Sequence, residues 1–182
     1  MKLLQAVLLA SALAFGCTSA FAQDKAPAPP TTVVATLDNE LSHLEKGLVG
    51  LAEAMPEDKY SFKPTQGKFD GVLDFAGQVK HLAGGIAMYA GAIQGEKPAA
   101  EPASLKTKAE LVQYLKDSLG SAHKALASLN DQNMFTTIPP PFGKNPTTRF
   151  ALAVAMVSHP NDHYGQMVEY LRMNGVVPPG SK

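Results

Sequence analysis

Apolar residues recur with the period of an α-helix in four separate stretches of this 182-residue chain. In the first stretch, Leu37, Leu41, Leu44, Leu48 and Leu51 follow one another at spacings of four and three. Similar stripes run through residues 72–90, 111–129 and 149–174. No stretch alternates apolar and polar residues for long enough to predict a convincing strand. Because amphipathic helices bury their stripes by packing together, the sequence predicts an all-α fold, a four-helix bundle with long loops.

Local signals mark the ends of these helices. Met55-Pro56 ends the first helix, and the second begins after Asp70-Gly71. Thr147 or Thr148 caps the start of the fourth helix, and Gly175 caps its end. We therefore expect the fourth helix to run from about residue 149 to 174.

Two of the predicted connections are long. Residues 56–71 mix charges, prolines and glycines with Tyr60 and Phe62, which predicts an ordered loop anchored by its aromatic rings. The connection after Leu129 is centred on the run Ile138-Pro139-Pro140-Pro141-Phe142-Gly143. Loops of this length are often functional, and we expect this one to cover a site.

Residues 1–22 are typical of a secretory signal peptide. Lys2 precedes an apolar run from Leu3 to Phe15, and Ala20-Phe21-Ala22 gives the small-x-small pattern that predicts cleavage after Ala22. A retained membrane helix is a weaker alternative, because a span needs about 20 apolar residues. Lipid attachment at Cys17 is another, although no leucine stands in the three residues before it. Residues 23–32 form a Pro/Ala-rich tether, and residues 33–179 form one domain.

Composition excludes several classes of function. Cleavage after Ala22 would remove Cys17, the only cysteine, so that disulfides, thiolate metal sites and cysteine nucleophiles are all excluded. The net charge is close to zero without a basic cluster, which argues against nucleic acid as a partner. No membrane span is expected after processing. A periplasmic or secreted protein fits these features best.

His159 and His163 are the strongest functional signal. They are four residues apart in SHPNDHYGQ, so that on a helix their rings emerge on one face, one turn apart, where two imidazoles can share a metal ion. Leu152, Met156, Gln166, Met167 and Tyr170 fall on the same side, which predicts that the pair faces the core. Two histidines that are simply accommodated in a helix interface are the alternative.

The other three histidines lie on three different helices. His81 stands on the second helix opposite its apolar stripe, beside Gly77 and Gly85, where small residues favour a close helix approach or room for a ligand. An incidental histidine on a loosely packed helix explains these facts equally well. His43 lies off the apolar stripe of its helix and is expected at the surface. His123 lies at the edge of its stripe, where a role as a fourth metal ligand is the less favoured alternative.

The loop AMPEDKYSFKPT, the segment QVKHLAG and the closing SHPNDHYGQMVEYLRMNGVVPP resemble the DinB superfamily of four-helix metal-binding proteins, also called DinB/YfiT-like. The resemblance extends from about Val33 to Pro179. It implies antiparallel helix pairs joined by a long crossover, and His81, His159 and His163 as ligands of one divalent metal ion. Pro160 departs from the family pattern. It lacks an amide donor and crowds the carbonyl of Met156, so that we expect a bend near the ligands.

Three neutral imidazoles would leave a coordination position open, which is what a catalytic site needs. Zinc is the default ion, and nickel or iron would also fit. The resemblance implies a metal-dependent enzyme of the thiol S-transferase or isomerase type, with a small-molecule substrate or thiol as partner. Because small thiols are mainly cytosolic, export favours a hydrolase-like enzyme as the alternative. A non-catalytic metal-binding or stress-related module is the alternative, and a homodimer remains open. Pro160 stands where an H-E-x-x-H protease needs its glutamate, which excludes that class.

Overall fold

Four α-helices make up most of the computed structural model, which describes residues 29–65, 70–96 and 105–180. They are α1 (Val33–Ala54), α2 (Phe75–Gln94), α3 (Lys108–Ala127) and α4 (Arg149–Met173), with a short 3-10 helix at Glu57–Lys59. The predicted all-α four-helix bundle is therefore confirmed. The predicted signal peptide, residues 1–22, and the first part of the tether, residues 23–28, lie outside the described residues.

Each helix begins at a side chain that accepts a backbone N–H of the first turn. Thr32, Thr107 and Thr148 cap α1, α3 and α4, and Thr107 forms a reciprocal capping box with Glu110. The prediction for the start of α2 was a few residues early. Asp74 accepts from the N–H of Gly77 at 2.7 Å, so that the helix begins at Phe75 and not directly after Gly71.

The helices pack so that α1 and α2 each contact both α3 and α4. Contacts between α2 and α4 run in opposite chain directions, from Gln78 against Gln166 to Ile93 against Arg149, so these two helices are antiparallel. The predicted apolar stripes form the core. It contains, among others, Leu41, Leu44, Leu48 and Leu51 of α1; Val79, Ala83 and Ile86 of α2; Leu115, Leu119 and Leu126 of α3; and Leu152, Met156 and Met167 of α4.

Both long connections pack against the bundle. In the first, the ring of Tyr60 meets the edge of Phe75 and that of Phe62 meets Tyr170, as the prediction of aromatic anchors requires. In the second, Thr137–Ile138 pairs antiparallel with Thr147–Thr148, an element that was not predicted. Strands of two residues are too short for apolar alternation to reveal them.

No helix in the described ranges is both long and apolar enough to cross a bilayer. Pro160 is buried inside α4 and does not end the helix. His159 and His163 therefore lie on one continuous helix.

Candidate metal centre

The predicted pair on α4 faces the interior of the bundle. His163 is buried, with 8% of its surface exposed, and His159 is half-buried. Their Nε2 atoms lie 3.1 Å apart. Of the residues predicted on the same side, Leu152, Met156, Met167 and Tyr170 are buried and Gln166 is half-buried. Those predicted on the opposite side, Asn161, Asp162, Glu169 and Arg172, are exposed. The prediction of an inward-facing pair is confirmed.

The third predicted residue, His81, reaches the pair from α2. Its ring centroid lies 5.3 Å from that of His159 and 4.9 Å from that of His163. One ring nitrogen of each histidine lies within 4.8 Å of the other two, in an arrangement that could hold a metal ion. His81 is exposed, so the cluster opens to solvent on the α2 side.

The donor set and its spacing fit a divalent metal. Two imidazole nitrogens bound to one tetrahedral zinc ion lie about 3.3 Å apart, since each Zn–N bond is about 2.0–2.1 Å long. The 3.1 Å between the Nε2 atoms of His159 and His163 is close to that value. No cysteine or carboxylate joins the described cluster, so imidazole nitrogens alone would bind the ion.

Gln78 fixes the orientation of the His163 ring. The Nδ1 atom of His163 lies 2.6 Å from Oε1 of Gln78, whose side chain is almost fully buried. A carbonyl oxygen only accepts, so Nδ1 carries the proton and Nε2 keeps its lone pair. That lone pair belongs to the nitrogen that faces His159.

Gly85 allows His159 to approach α2. A Cβ atom at Gly85 would lie 3.3 Å from Cε1 of His159, which is closer than side chains usually pack, and 3.5 Å from its Nδ1. Close approach therefore explains this glycine beside the histidines, one of the two reasons expected from the sequence. The Nδ1 atom of His159 is buried and has no hydrogen-bond partner among the described residues.

The surroundings of the pair favour neutral imidazoles in the metal-free protein. Burial, together with the charges that His159 and His81 would carry, lowers the pKa of His163 to about 4, against a weaker opposing effect of Asp162. Burial and the neighbouring His81 likewise lower the pKa of His159. Because a metal binds only the neutral ring, both histidines are ready to coordinate at neutral pH.

The long loop before α4 approaches the cluster through Phe142. Its ring, which is 60% exposed, lies 5.9 Å from that of Tyr89, and Tyr89 in turn lies 6.2 Å from the ring of His159. Burial raises the pKa of Tyr89. This aromatic pair brings the loop near the cluster. That the loop covers a site stays a prediction.

The remaining two histidines lie elsewhere. His123 places Nδ1 2.6 Å from Oδ1 of Asp38 and Nε2 3.1 Å from Oε2 of Glu45, so that it joins α3 to α1. The less favoured alternative, His123 as a fourth ligand, is therefore not supported. His43 is exposed, as expected.

Sequence reasoning missed Gln78, although a signal was present. Gln78 precedes His81 by three residues, and Gln166 follows His163 by three, so that each glutamine shares a helix face with a histidine. Gln166 was predicted on the inward face, but neither glutamine was given a role, because glutamine on a helix is ordinarily a surface residue.

The chain matches the sequence profile of the DinB superfamily over residues 40–167. It belongs to the DinB superfamily. The matched range includes His81, His159 and His163 together with the helices that carry them, so the predicted resemblance is confirmed. No curated protein matches the chain at a significant level.

Solved structures with the same fold include two DinB-like proteins. One from Bacillus cereus is 15% identical, with a TM-score of 0.65, and the match covers 80% of this chain and 95% of that one. One from Bacillus subtilis is 20% identical, with a TM-score of 0.64, 80% coverage here and 97% there. A conserved protein from Enterococcus faecalis is 15% identical, with a TM-score of 0.62, 79% coverage here and 98% there. At these identities the likeness concerns the fold.

Proposed function

We propose that this protein is an exported metal-dependent enzyme whose single divalent ion, zinc by default, is held by His81, His159 and His163. The observation that carries the proposal is the convergence of three imidazole nitrogens within 4.8 Å from two helices. Nickel and iron are the other ions that suit three imidazoles.

Each of the three histidines has a distinct part in this proposal. His163 is held in one orientation by Gln78, His159 packs against Gly85, and His81 lies at the solvent side of the cluster. A bound divalent ion supplies Lewis acidity to whatever oxygen or sulfur occupies its open position. A small molecule would reach the cluster from its exposed side, next to His81.

The reaction class that we propose is group transfer or hydrolysis at the three-histidine cluster. A thiol substrate would be bound as its thiolate, which is the reactive form of sulfur. An exported enzyme meets few small thiols, so hydrolysis of a small ester is the alternative within the same class. Tyr89 and Phe142 form the aromatic contact between the loop and His159.

Metal titration of single variants tests the binding site. Alanine at His81, His159 or His163 is expected to remove most of the zinc affinity, because two imidazoles hold a divalent ion much less firmly than three. His43→Ala and His123→Ala are the matched controls and should bind nearly as well as the parent. The measurement is competition of each metal-free variant against a chromogenic chelator. Zinc affinity that survives at His81→Ala and is lost at His123→Ala would refute the site.

Activity separates the enzyme from a non-catalytic binding module. Zinc-loaded protein is assayed with small thiols plus an electrophile and, separately, with small carboxylic esters. Turnover that disappears in His159→Ala and persists in His43→Ala supports the enzyme. A protein that binds one ion per chain and turns over neither class would be a metal-binding module instead.

Export is tested by the mass of the mature chain. Small residues at Ala20 and Ala22 and the accessible Pro-rich stretch after them predict an N-terminus at residue 23. Intact-mass spectrometry of protein from the periplasm or the medium measures this end. A retained Met1 or a lipid on Cys17 would contradict the proposal.

A further inference from the structure

A chain of hydrogen bonds leads from His163 to the surface of the bundle. His163 Nδ1 lies 2.6 Å from Gln78 Oε1, and the Nε2 of Gln78 donates to Oε1 of Gln166 at 2.8 Å. The Nε2 of Gln166 then donates to Oδ2 of Asp162 at 3.0 Å. The chain crosses from α4 to α2 and returns to α4, where it ends at an exposed carboxylate.

The carboxylate at the end of this chain determines the direction of every bond in it. An ionised carboxylate has only acceptor atoms, whereas each glutamine amide has one donor end and one acceptor end. Asp162 therefore requires the NH₂ group of Gln166 to face it. The oxygen of Gln166 then accepts from Gln78, and the oxygen of Gln78 accepts from His163. With either amide reversed, two acceptors or two donors would face each other.

We propose that Asp162, acting through Gln166 and Gln78, holds the proton of His163 on Nδ1 and so keeps Nε2 free as a metal-binding lone pair. These three are positioning residues, since none of them belongs to the histidine cluster itself. The consequence for metal binding rests on the proposed function. The tautomer is a property of the metal-free chain and can be measured without any ion.

His159 provides an internal comparison. Its Nδ1 is buried without a partner in the described structure, so no group on the Nδ1 side fixes its tautomer. With the Nε2 of His163 unprotonated, the Nε2 of His159 at 3.1 Å is able to donate a hydrogen to it when no ion is present. A metal ion would replace that hydrogen, and His159 would carry its proton on Nδ1. The tautomer of His163 is thus already the one that a bound ion would need, whereas the tautomer of His159 would change on binding.

Imidazole ¹⁵N chemical shifts distinguish the tautomers directly. The metal-free protein is recorded at neutral pH, and the signals of His163 are identified by their loss in His163→Gln. We expect the parent to carry the proton on Nδ1. Asp162→Ala removes the terminal acceptor and should give a mixture of both tautomers, whereas Asp162→Asn retains an acceptor oxygen and should restore the Nδ1–H form. Asn161→Ala, an exposed neighbour on the same turn, is the control and should match the parent.

Zinc affinity is measured on the same variants by chelator competition. Asp162→Ala is expected to lose about tenfold in affinity, at the lower end of the range for groups that orient metal ligands, and Asp162→Asn to recover most of that loss. A parent protein with its His163 proton on Nε2, or an Asp162→Ala variant with an unchanged tautomer, would overturn the inference. If the tautomers behave as expected and zinc fails to bind, the inference stands and the proposed metal function is refuted.

Discussion

Tyr60 joins the loop before α2 to the end of α1. Pro56 has no N–H, so the buried carbonyl of Ala52 lacks its usual helical donor, and the hydroxyl of Tyr60 donates to it instead. The same loop holds the start of α2, because the N–H groups of Phe75 and Ala76 donate to the carbonyls of Phe62 and Tyr60. One phenol thus stabilises the entry to the helix that carries His81.

Tyr60→Phe is therefore expected to lower the free energy of unfolding by about 1–3 kcal/mol, the cost of leaving a buried carbonyl unpaired. Tyr114→Phe is the matched control. Its ring is half-buried and its hydroxyl has no hydrogen bond within the described ranges, so a change under about 0.5 kcal/mol is expected. Urea denaturation of both variants gives the comparison, and equal losses would contradict this role for Tyr60.

The residues of the site differ in how far the sequence could reveal them. His159 and His163 were selected by their spacing and by the inward direction of their shared face, because both are local properties of one helix. His81 needed the family resemblance, since nothing local indicates which other helix packs beside α4. The role of Gln78 depends on its distance from His163 across that helix pair, which periodicity does not encode. Local pattern therefore predicted the histidine pair on α4, but neither its partner on α2 nor the glutamine that orients His163.

At the scale of the helices, periodicity predicted which faces are buried better than where each helix begins. The apolar stripes of all four helices are in the core. Apolar residues recur at helical spacing because one face of each helix is buried. The predicted start of α2 was too early because a glycine such as Gly71 often marks the end of a loop. The capping hydrogen bond is made by Asp74, three residues later. The β1–β2 pair depends on contact between residues nine and eleven positions apart, which no local pattern records.

At Gly85 of α2, the residue that the helix would favour differs from the residue that the histidine cluster allows. Alanine would favour the helix by up to about 1 kcal/mol but would push against His159, whose ring lies 3.3 Å from the new Cβ. We expect Gly85→Ala to lose about tenfold or more in zinc affinity, because a displaced ligand binds less well. Gly120→Ala on α3 has open space around it and should raise stability by about 0.5–1 kcal/mol without changing zinc affinity. Unchanged zinc binding in Gly85→Ala would contradict this reason for the glycine.

At the scale of the whole molecule, two histidines give the metal-free bundle opposite responses to pH. Burial lowers the pKa of His163 to about 4, so that between about pH 6.5 and 4 the unfolded chain holds a proton that the folded chain does not. Folding is therefore disfavoured as the pH falls through that window. Burial also lowers the pKa of His123, but hydrogen bonds to Asp38 and Glu45 and the charges of both carboxylates outweigh it, so the net shift is upward.

The link from His123 to α1 should accordingly weaken at alkaline pH. Because its folded pKa is raised, its contribution is fully present below about pH 6.5 and is lost as the pH rises through the folded value. We expect His123→Gln to melt about 2–4 °C below the parent at about pH 6, which corresponds to about 1 kcal/mol, and the difference to shrink by about pH 9. Calorimetry in the presence of a chelator measures both proteins without a contribution from bound metal. His43→Gln, at an exposed position on α1, is the control and should follow the parent at every pH. A difference between His123→Gln and the parent that stays constant from pH 6 to 9 would mean that His123 acts through packing and not through its charge.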